Sequence, residues 1–220
     1  MQPNKLKILM MGLSESGKTQ IANYISDSTN FEEASTPRPT QGVRIVEFEL
    51  SNLNVNGKTS NVDVELWDCS GDHRFESCWP ALRVGVQGVI LVCSPNTAQM
   101  AAREMELLYN YFVSQPKLSA KQCVVFYNCT DDQDDIDTLN LCKYFYFLSA
   151  STFSKVSQVA IKLKTGGNRL KIDFSNYITS VLQSINKENY LIILFSLPHK
   201  CRFTVRLTMS HTYVHRGLRE

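Results

Sequence analysis

The chain has 220 residues, of which 43% are hydrophobic and 20% are charged, and this balance excludes a disordered chain as an overall description. Its formal charge of +2 is too small to demand a nucleic acid or an anionic membrane as partner. The charge is unevenly distributed, because residues 1–186 carry 17 basic and 19 acidic side chains, whereas residues 187–220 carry 6 and 2.

Six short apolar runs predict the strands of a sheet. In chain order they are residues 6–11, 43–50, 62–67, 89–93, 123–127 and 144–148. Helical periodicity follows the first and fourth runs, at residues 17–26 and 97–112. Strands that alternate with helices predict an α/β fold, with a mostly parallel six-stranded sheet and helices on both faces.

The sequence pattern changes near residue 186. We expect residues 1–186 to form one domain, and residues 187–220 to form a basic, apolar extension. That extension is compatible with an added β-hairpin, a partner-binding segment or a tail without fixed structure. No apolar run approaches the roughly 20 residues of a membrane span, and no lipidation motif is present. We therefore expect no direct membrane anchor. The scattered cysteines favour a reducing compartment.

Residues 12–19 match the phosphate-binding pattern G-x-x-x-x-G-K-[ST], between the first predicted strand and the first predicted helix. In this pattern backbone N–H groups point at phosphate oxygens, a lysine reaches the β and γ phosphates, and a hydroxyl ligates Mg²⁺. The predicted phosphate-binding residues are Gly12, Ser14, Glu15, Ser16, Gly17, Lys18 and Thr19. The Glu15 carboxylate is expected to point outward, because phosphates would repel it. The motif predicts a P-loop NTPase.

Two further segments complete the predicted phosphate and magnesium site. The third predicted strand is followed by Asp68, which is expected to hold Mg²⁺, and by Gly71, whose N–H is expected to bind the γ-phosphate. The predicted Mg²⁺ ligands are Thr19, Asp68 and Thr40, which lies at the end of a long polar loop. ATPases, nucleotide kinases and GTPases share these features, so the phosphate site alone does not choose among them.

The segments after the fifth and sixth predicted strands resemble the guanine-binding motifs of Ras-superfamily small GTPases. Residues 128–131 resemble N-K-x-D, and residues 149–151 resemble S-A-K. By this resemblance Asp131 would bind the guanine N1 and exocyclic amine, and Asn128 would brace the loop. Ser149 and Ala150 would lie at the guanine O6, with the Ala150 N–H as donor. The resemblance thus implies a Ras-like G domain that binds GTP or GDP with Mg²⁺.

Three positions depart from the Ras-like pattern. Cys129 and Ser151 stand where the motifs carry lysines, so we expect weaker nucleotide affinity. Asp72 stands where most members have the glutamine that orients the attacking water. A carboxylate beside the γ-phosphate is electrostatically unfavourable, so we expect weak or absent intrinsic hydrolysis and assign no firm catalytic residue. An arginine from a GTPase-activating protein would add on the order of 10³ to 10⁵ in rate.

Residues 39–45, 67–69 and 75–82 are similar to those of the Rab-like small GTPases of the intraflagellar transport B complex. The resemblance covers about residues 5–186. It implies a location in the cytoplasm and in the cilium or flagellum, including its base, and binding to the coiled-coil core subunits of that complex. Phe75, Trp79 and Leu82 are expected to form a partner surface, because Pro80 interrupts regular helix there. Packing of these side chains in the core is the alternative.

Two functions remain open at this point. The first is a guanine-nucleotide switch, in which GTP and Mg²⁺ order Thr40 and Gly71 and slow hydrolysis releases them. The second is a structural subunit that holds nucleotide constitutively and never cycles, which Asp72 and Cys129 favour. An ATP-using P-loop kinase is disfavoured, because no arginine-rich lid segment is apparent in the sequence.

Overall fold

The computed structural model describes residues 5–27, 38–94, 98–129 and 153–196. The predicted strand at residues 144–148 lies outside the described residues, as do Asp131, Ser149 and Ala150. Residues 197–220, the greater part of the predicted extension, also lie outside them. The long polar loop is described from residue 38 onward, so the segment that carries Thr40 is included.

Six strands and four α-helices lie within the described ranges. They are β1 (Lys5–Met11), α1 (Lys18–Ile25), β2 (Val43–Val55), β3 (Lys58–Cys69), α2 (Trp79–Arg83), β4 (Gly88–Cys93), α3 (Ala98–Tyr109), β5 (Cys123–Asn128), β6 (Ser157–Ile161) and α4 (Leu163–Ser196). A 3₁₀ helix at His73–Cys78 precedes α2, a π-helical turn at Asn110–Ser114 continues α3, and a 3₁₀ turn at Ala120–Gln122 leads into β5.

The strands form one sheet in the order β2-β3-β1-β4-β5-β6. The β2 and β3 strands are antiparallel, and every other neighbouring pair is parallel. The predicted α/β fold with a mostly parallel six-stranded sheet is therefore confirmed. Because the carboxyl ends of parallel strands meet at one edge, the segments that follow β1, β3 and β5 converge there.

The core lies on both faces of the sheet, as the alternation of side chains along a strand requires. In β1, Leu6, Ile8 and Met10 pack on the side of α1 and α4. Leu9 and Met11 pack on the opposite side with residues of α3. The five cysteines of the described residues are free thiols, and Cys78 alone among these five is exposed.

The sixth strand differs in position from the sequence prediction. The strand beside β5 is Ser157–Ile161, with Ile161 in register with Asn128. Its residues are mostly half-buried, and polar side chains occupy its first two positions, so it lacks a clear apolar run. The segment that follows the sixth described strand consequently begins at Lys162.

The last helix runs without a break across the predicted domain boundary. The α4 helix spans Leu163–Ser196, so residue 186 lies inside a helix. Residues 191–196 are helical, and the hairpin considered for the extension does not begin there. Phe174, Ile178 and Val181 bury one stripe of α4 against the sheet, which anchors the helix by its apolar face. None of the described helices has an apolar stretch long enough to cross a membrane.

Candidate nucleotide-binding site

The loop between β1 and α1 has a backbone that only glycine tolerates at two positions. Gly12 has φ +145°, and a Cβ there would lie 2.1 Å from the Val92 carbonyl oxygen. Gly17 has φ +88°, and a Cβ there would lie 2.0 Å from Nδ2 of Asn128. Glu15 also has a positive φ, and its side chain is exposed. The loop thus packs closely on β4 and β5 while Glu15 remains in contact with solvent.

Lys18 is folded back over this loop. Its Nζ donates hydrogen bonds to the carbonyl oxygens of Gly12, at 2.8 Å, and Leu13, at 2.6 Å. The residue is only 6% exposed, and burial lowers the pKa of the lysine to about 8, against the opposing charge of Asp68. The ammonium group therefore lies at the centre of the loop. Phosphate oxygens there would stabilise the positive charge, which burial disfavours.

Three oxygen-bearing side chains from separate segments meet beside Lys18. Thr19 Oγ1 donates to Oδ2 of Asp68 at 2.8 Å, and the hydroxyl oxygens of Thr19 and Thr40 lie 2.9 Å apart. Asp68 is fully buried, and its Oδ1 has no hydrogen-bond partner among the described residues. Mg²⁺ prefers carboxylate and hydroxyl oxygens, and an orphaned carboxylate oxygen is a free ligand position. The residues present therefore fit a magnesium ion.

Arg44 also faces this carboxylate, a contact that the sequence analysis missed. Its Nη2 lies 3.4 Å from Oδ2 of Asp68. Burial raises the pKa of Asp68, while the Thr19 hydrogen bond and the charges of Arg44 and Lys18 oppose that rise. Arg44 is the second residue of β2. Only the register between β2 and β3 reveals that it lies opposite Asp68.

The segment after β3 closes against the phosphate loop. A Cβ on Gly71 would lie 2.4 Å from the carbonyl carbon of Leu13 and the amide nitrogen of Ser14, so no larger residue fits this arrangement. The Ser70 N–H donates to the Gly42 carbonyl oxygen at 2.7 Å. The segments that carry Thr40 and Gly71 are thus joined to each other by a backbone hydrogen bond.

A cavity of about 580 Å³ opens between these segments. It is lined by the phosphate loop, by residues 38–41 and by residues 69–75. The lining residues are Ser14, Glu15, Gly17, Lys18, Thr19, Gln20, Arg38, Pro39, Thr40, Gln41, Cys69, Ser70, Gly71, Asp72, Arg74 and Phe75. Its volume is within the range of small-ligand and cofactor pockets.

The base end of the site is described in part. Asn128 donates through Nδ2 to the Ser16 carbonyl oxygen at 3.1 Å, so the end of β5 holds the phosphate loop directly. Cys129 is 4% exposed, and its N–H donates to the Ile161 carbonyl oxygen at 2.9 Å. The positive charge of Lys162 opposes the rise that burial causes in the pKa of the Cys129 thiol. The sequence analysis did not single out Lys162, which follows β6 on this edge of the sheet.

Comparison with known proteins decides the family. Residues 7–131 match the family described as Ras of Complex, Roc, domain of DAPkinase. The chain belongs to this family of Ras-like GTPase domains. Membership of this family implies that the chain binds guanine nucleotide.

Several curated relatives are similar to this GTPase domain over most of its length. The intraflagellar transport protein 22 homolog of Homo sapiens is 36% identical over 83% of the chain and 93% of its own length. That of Danio rerio is 49% identical over 55% of the chain and 64% of its own length. Intraflagellar transport associated protein 2 of Caenorhabditis elegans is 26% identical over 80% and 79% of the two chains.

Asp72, which the Ras-like resemblance places where most members have the water-orienting glutamine, lies in a local ion pair with Arg74. Asp72 Oδ1 accepts from the backbone N–H of Arg74, and Oδ2 accepts from its guanidinium. The carboxylate thereby caps the 3₁₀ helix His73–Cys78. The sequence analysis assigned no role to Arg74, although it lines the cavity.

The predicted partner surface needs one correction. Leu82 is only 7% exposed and packs in the core, so it is not available to a partner in this structure. Trp79 is half-buried, with its ring 5.3 Å from that of Tyr111 between centroids. Phe75 is half-buried at the cavity. Pro80 lies in the first turn of α2, where its missing N–H has no intrahelical partner to lose, so α2 begins at this segment and buries Leu82.

Proposed function

We propose that this GTPase domain protein is a GTP-binding subunit of the intraflagellar transport B particle, and that it acts as a nucleotide-dependent switch in assembling or maintaining a cilium or flagellum. The observation that carries the switch is the junction of two loops at one cavity. Thr40 reaches Thr19 from one loop, Gly71 packs on the phosphate loop from the other, and the Ser70–Gly42 hydrogen bond joins them.

The phosphate site supports this proposal through the chemistry of its groups. Backbone N–H groups of residues 12–19 and the Lys18 ammonium complement a polyphosphate, and Thr19, Thr40 and Asp68 would hold Mg²⁺. The Gly71 N–H is the proposed γ-phosphate donor. Loss of the γ-phosphate would remove the ligand that Gly71 and the Mg²⁺-bound Thr40 would share, and so weaken the hold on both loops.

The names of the relatives support the transport assignment. Proteins named for intraflagellar transport match most of this chain, so the proposed partners are the coiled-coil core subunits of the B complex, and the proposed location is the cytoplasm and the cilium or flagellum with its base. The proposed partner surface keeps Phe75 and Trp79 without Leu82. Val43 and Ile45, at the start of β2, add exposed apolar area beside the nucleotide loops.

The Asp72–Arg74 ion pair favours the second candidate function, a subunit that holds nucleotide and does not cycle. A carboxylate whose oxygens already bind a guanidinium and a backbone N–H has less capacity to orient a water molecule. Under the switch hypothesis a GTPase-activating protein would supply the missing group. Under the structural hypothesis no such protein is required.

The nucleotide released from denatured purified protein identifies the ligand class. We expect GDP or GTP on chromatography. Adenine nucleotide would overturn the assignment of the base site, and Asp131→Asn provides a separate test because it should reduce the preference for guanine over adenine.

Partner binding in defined nucleotide states separates the two functions. We expect the coiled-coil partner to bind the GTP form more tightly than the GDP form, and the Lys18→Ala protein more weakly than either. The matched control is Lys58→Ala, because Lys58 is exposed on the β2–β3 hairpin away from the cavity. Equal affinity of the partner for all three forms would contradict the switch hypothesis and support the structural-subunit hypothesis.

A further inference from the structure

Arg44 and Asp68 occupy directly opposed positions on the antiparallel strands β2 and β3. Arg44 Nη2 lies 3.4 Å from Asp68 Oδ2, the same oxygen that accepts the Thr19 hydrogen bond. The carboxylate is fully buried, and the arginine side chain is 40% exposed. A cation of the protein therefore lies against a carboxylate that faces the proposed magnesium position.

This ion pair is incomplete. Nε and Nη2 of Arg44 are buried without a hydrogen-bond partner among the described residues, and Oδ1 of Asp68 is in the same condition. A buried carboxylate is strongly disfavoured unless an opposite charge compensates it. Arg44 compensates the charge of Asp68, but its loose geometry leaves Oδ1 of Asp68 able to bind another cation.

The charge of the site can then be counted with and without a divalent ion. Without one, Asp68 faces Lys18 and Arg44, and nucleotide phosphates would add further negative charge beside the carboxylate. Neutralising Arg44 would leave Lys18 as the single described cation near Asp68, so the repulsion between carboxylate and phosphates would rise. With a divalent ion, the guanidinium and the metal would compete for the same carboxylate.

We propose that Arg44 is a resident counter-ion of Asp68 that partly replaces Mg²⁺, so that the protein retains guanine nucleotide with little dependence on the metal. The proposal rests on the proposed function, in which the cavity holds a guanine nucleotide and Asp68 faces the metal. Arg44 acts here as a positioning residue, since it reaches the nucleotide phosphates only through Asp68. The arginine weakens binding of the divalent ion and protects nucleotide binding when the ion is absent.

The test is the release of a fluorescent GDP analogue from the full chain, measured in excess MgCl₂ and in excess EDTA. The measured quantity is the release rate in EDTA divided by the release rate in MgCl₂. We expect this ratio to be less than about tenfold for the wild-type protein, and at least about ten times larger for Arg44→Gln than for the wild type. Arg44→Lys keeps the charge and should keep the wild-type ratio. Arg169→Gln is the matched control, because Arg169 pairs with Asp173 on the exposed side of α4.

A second readout measures the metal directly. Titration of Mg²⁺ into the GDP complex should show tighter metal binding in Arg44→Gln than in the wild type, which a merely structural role would not produce. Equal EDTA-to-magnesium ratios in folded wild-type and Arg44→Gln proteins would overturn the proposal. If Arg44→Gln does not fold, the wild-type protein alone tests the proposal. A several-hundredfold acceleration of nucleotide release on chelation would then contradict a resident counter-ion. Failure of wild-type protein to bind guanine nucleotide in either condition would instead refute the proposed function.

Discussion

The carboxylate of Asp72 is held by the guanidinium of Arg74, two residues further along the chain. Arg74 donates to Asp72 Oδ2 from Nε at 2.9 Å and from Nη2 at 2.6 Å, and its backbone N–H donates to Oδ1 at 2.9 Å. These contacts lower the pKa of Asp72, so the carboxylate remains ionised near neutral pH. Both side chains line the cavity between the phosphate loop and residues 69–75, so the pair presents little net charge to that cavity.

Replacing Asp72 by glutamine should increase GTP hydrolysis. A neutral amide both donates and accepts hydrogen bonds, and it removes a negative charge from the cavity. We expect Asp72→Gln to raise the single-turnover rate by about tenfold or more, a small part of the range for a positioned catalytic group. Asp173→Asn is the control for loss of a carboxylate elsewhere. An unchanged rate would mean that the aspartate at position 72 does not limit hydrolysis.

Removing Arg74 should lower the preference for GTP over GDP. In Arg74→Ala the Asp72 carboxylate has no guanidinium partner, and it would repel the γ-phosphate, which GDP lacks. Partial solvent exposure screens this repulsion, so we expect the ratio of GTP to GDP affinity to fall by roughly fivefold. Calorimetry on both nucleotides measures the ratio. The double variant Asp72→Asn with Arg74→Ala should restore it, and failure to do so would exclude a charge effect.

His73 should titrate above its ordinary range. Its ring is paired with Glu76, and this hydrogen bond, together with the charges of Glu104 and Asp72, raises the pKa of His73 above 6.5. A raised pKa means that the pair stabilises the fold fully below about pH 6.5 and that this contribution is lost as the pH rises through the folded-state value. NMR titration of the imidazole should show a midpoint above 6.5 that falls in Glu76→Gln. A midpoint unaffected by that substitution would contradict the pairing.

Leu82 should behave as a core residue. Because its side chain is almost fully buried, Leu82→Ala should lower the free energy of unfolding by about 2–4 kcal/mol. Val84→Ala is the matched surface control, since Val84 is 71% exposed, and it should change stability by less than about 0.5 kcal/mol. Denaturant unfolding of both variants measures the difference. Equal free energies of unfolding for the two variants would contradict core packing of Leu82 and favour its place on the partner surface.

The sequence was sufficient to predict the fold because its signals are local. The phosphate loop reads as consecutive residues, and the apolar runs of β1, β3, β4 and β5 are continuous enough to identify as strands. β6 was missed because Ser157 and Gln158 open an edge strand that is only partly buried. Pro80 was misread as a helix breaker, since a proline in the first turn of a helix looks the same in sequence as one that interrupts a helix.

The sequence by itself determined the phosphate-binding loop and the α/β class, because glycine spacing, lysine and threonine act within one short segment and strand alternation requires only neighbouring residues. Tertiary structure alone decided that Arg44 lies against Asp68 and that Asn128 holds the Ser16 carbonyl. It also decided that Leu82 is buried and that Lys162 follows the sixth strand. These facts depend on strand register and on packing between distant segments, and a charge meets its partner only where the sheet brings the two strands together.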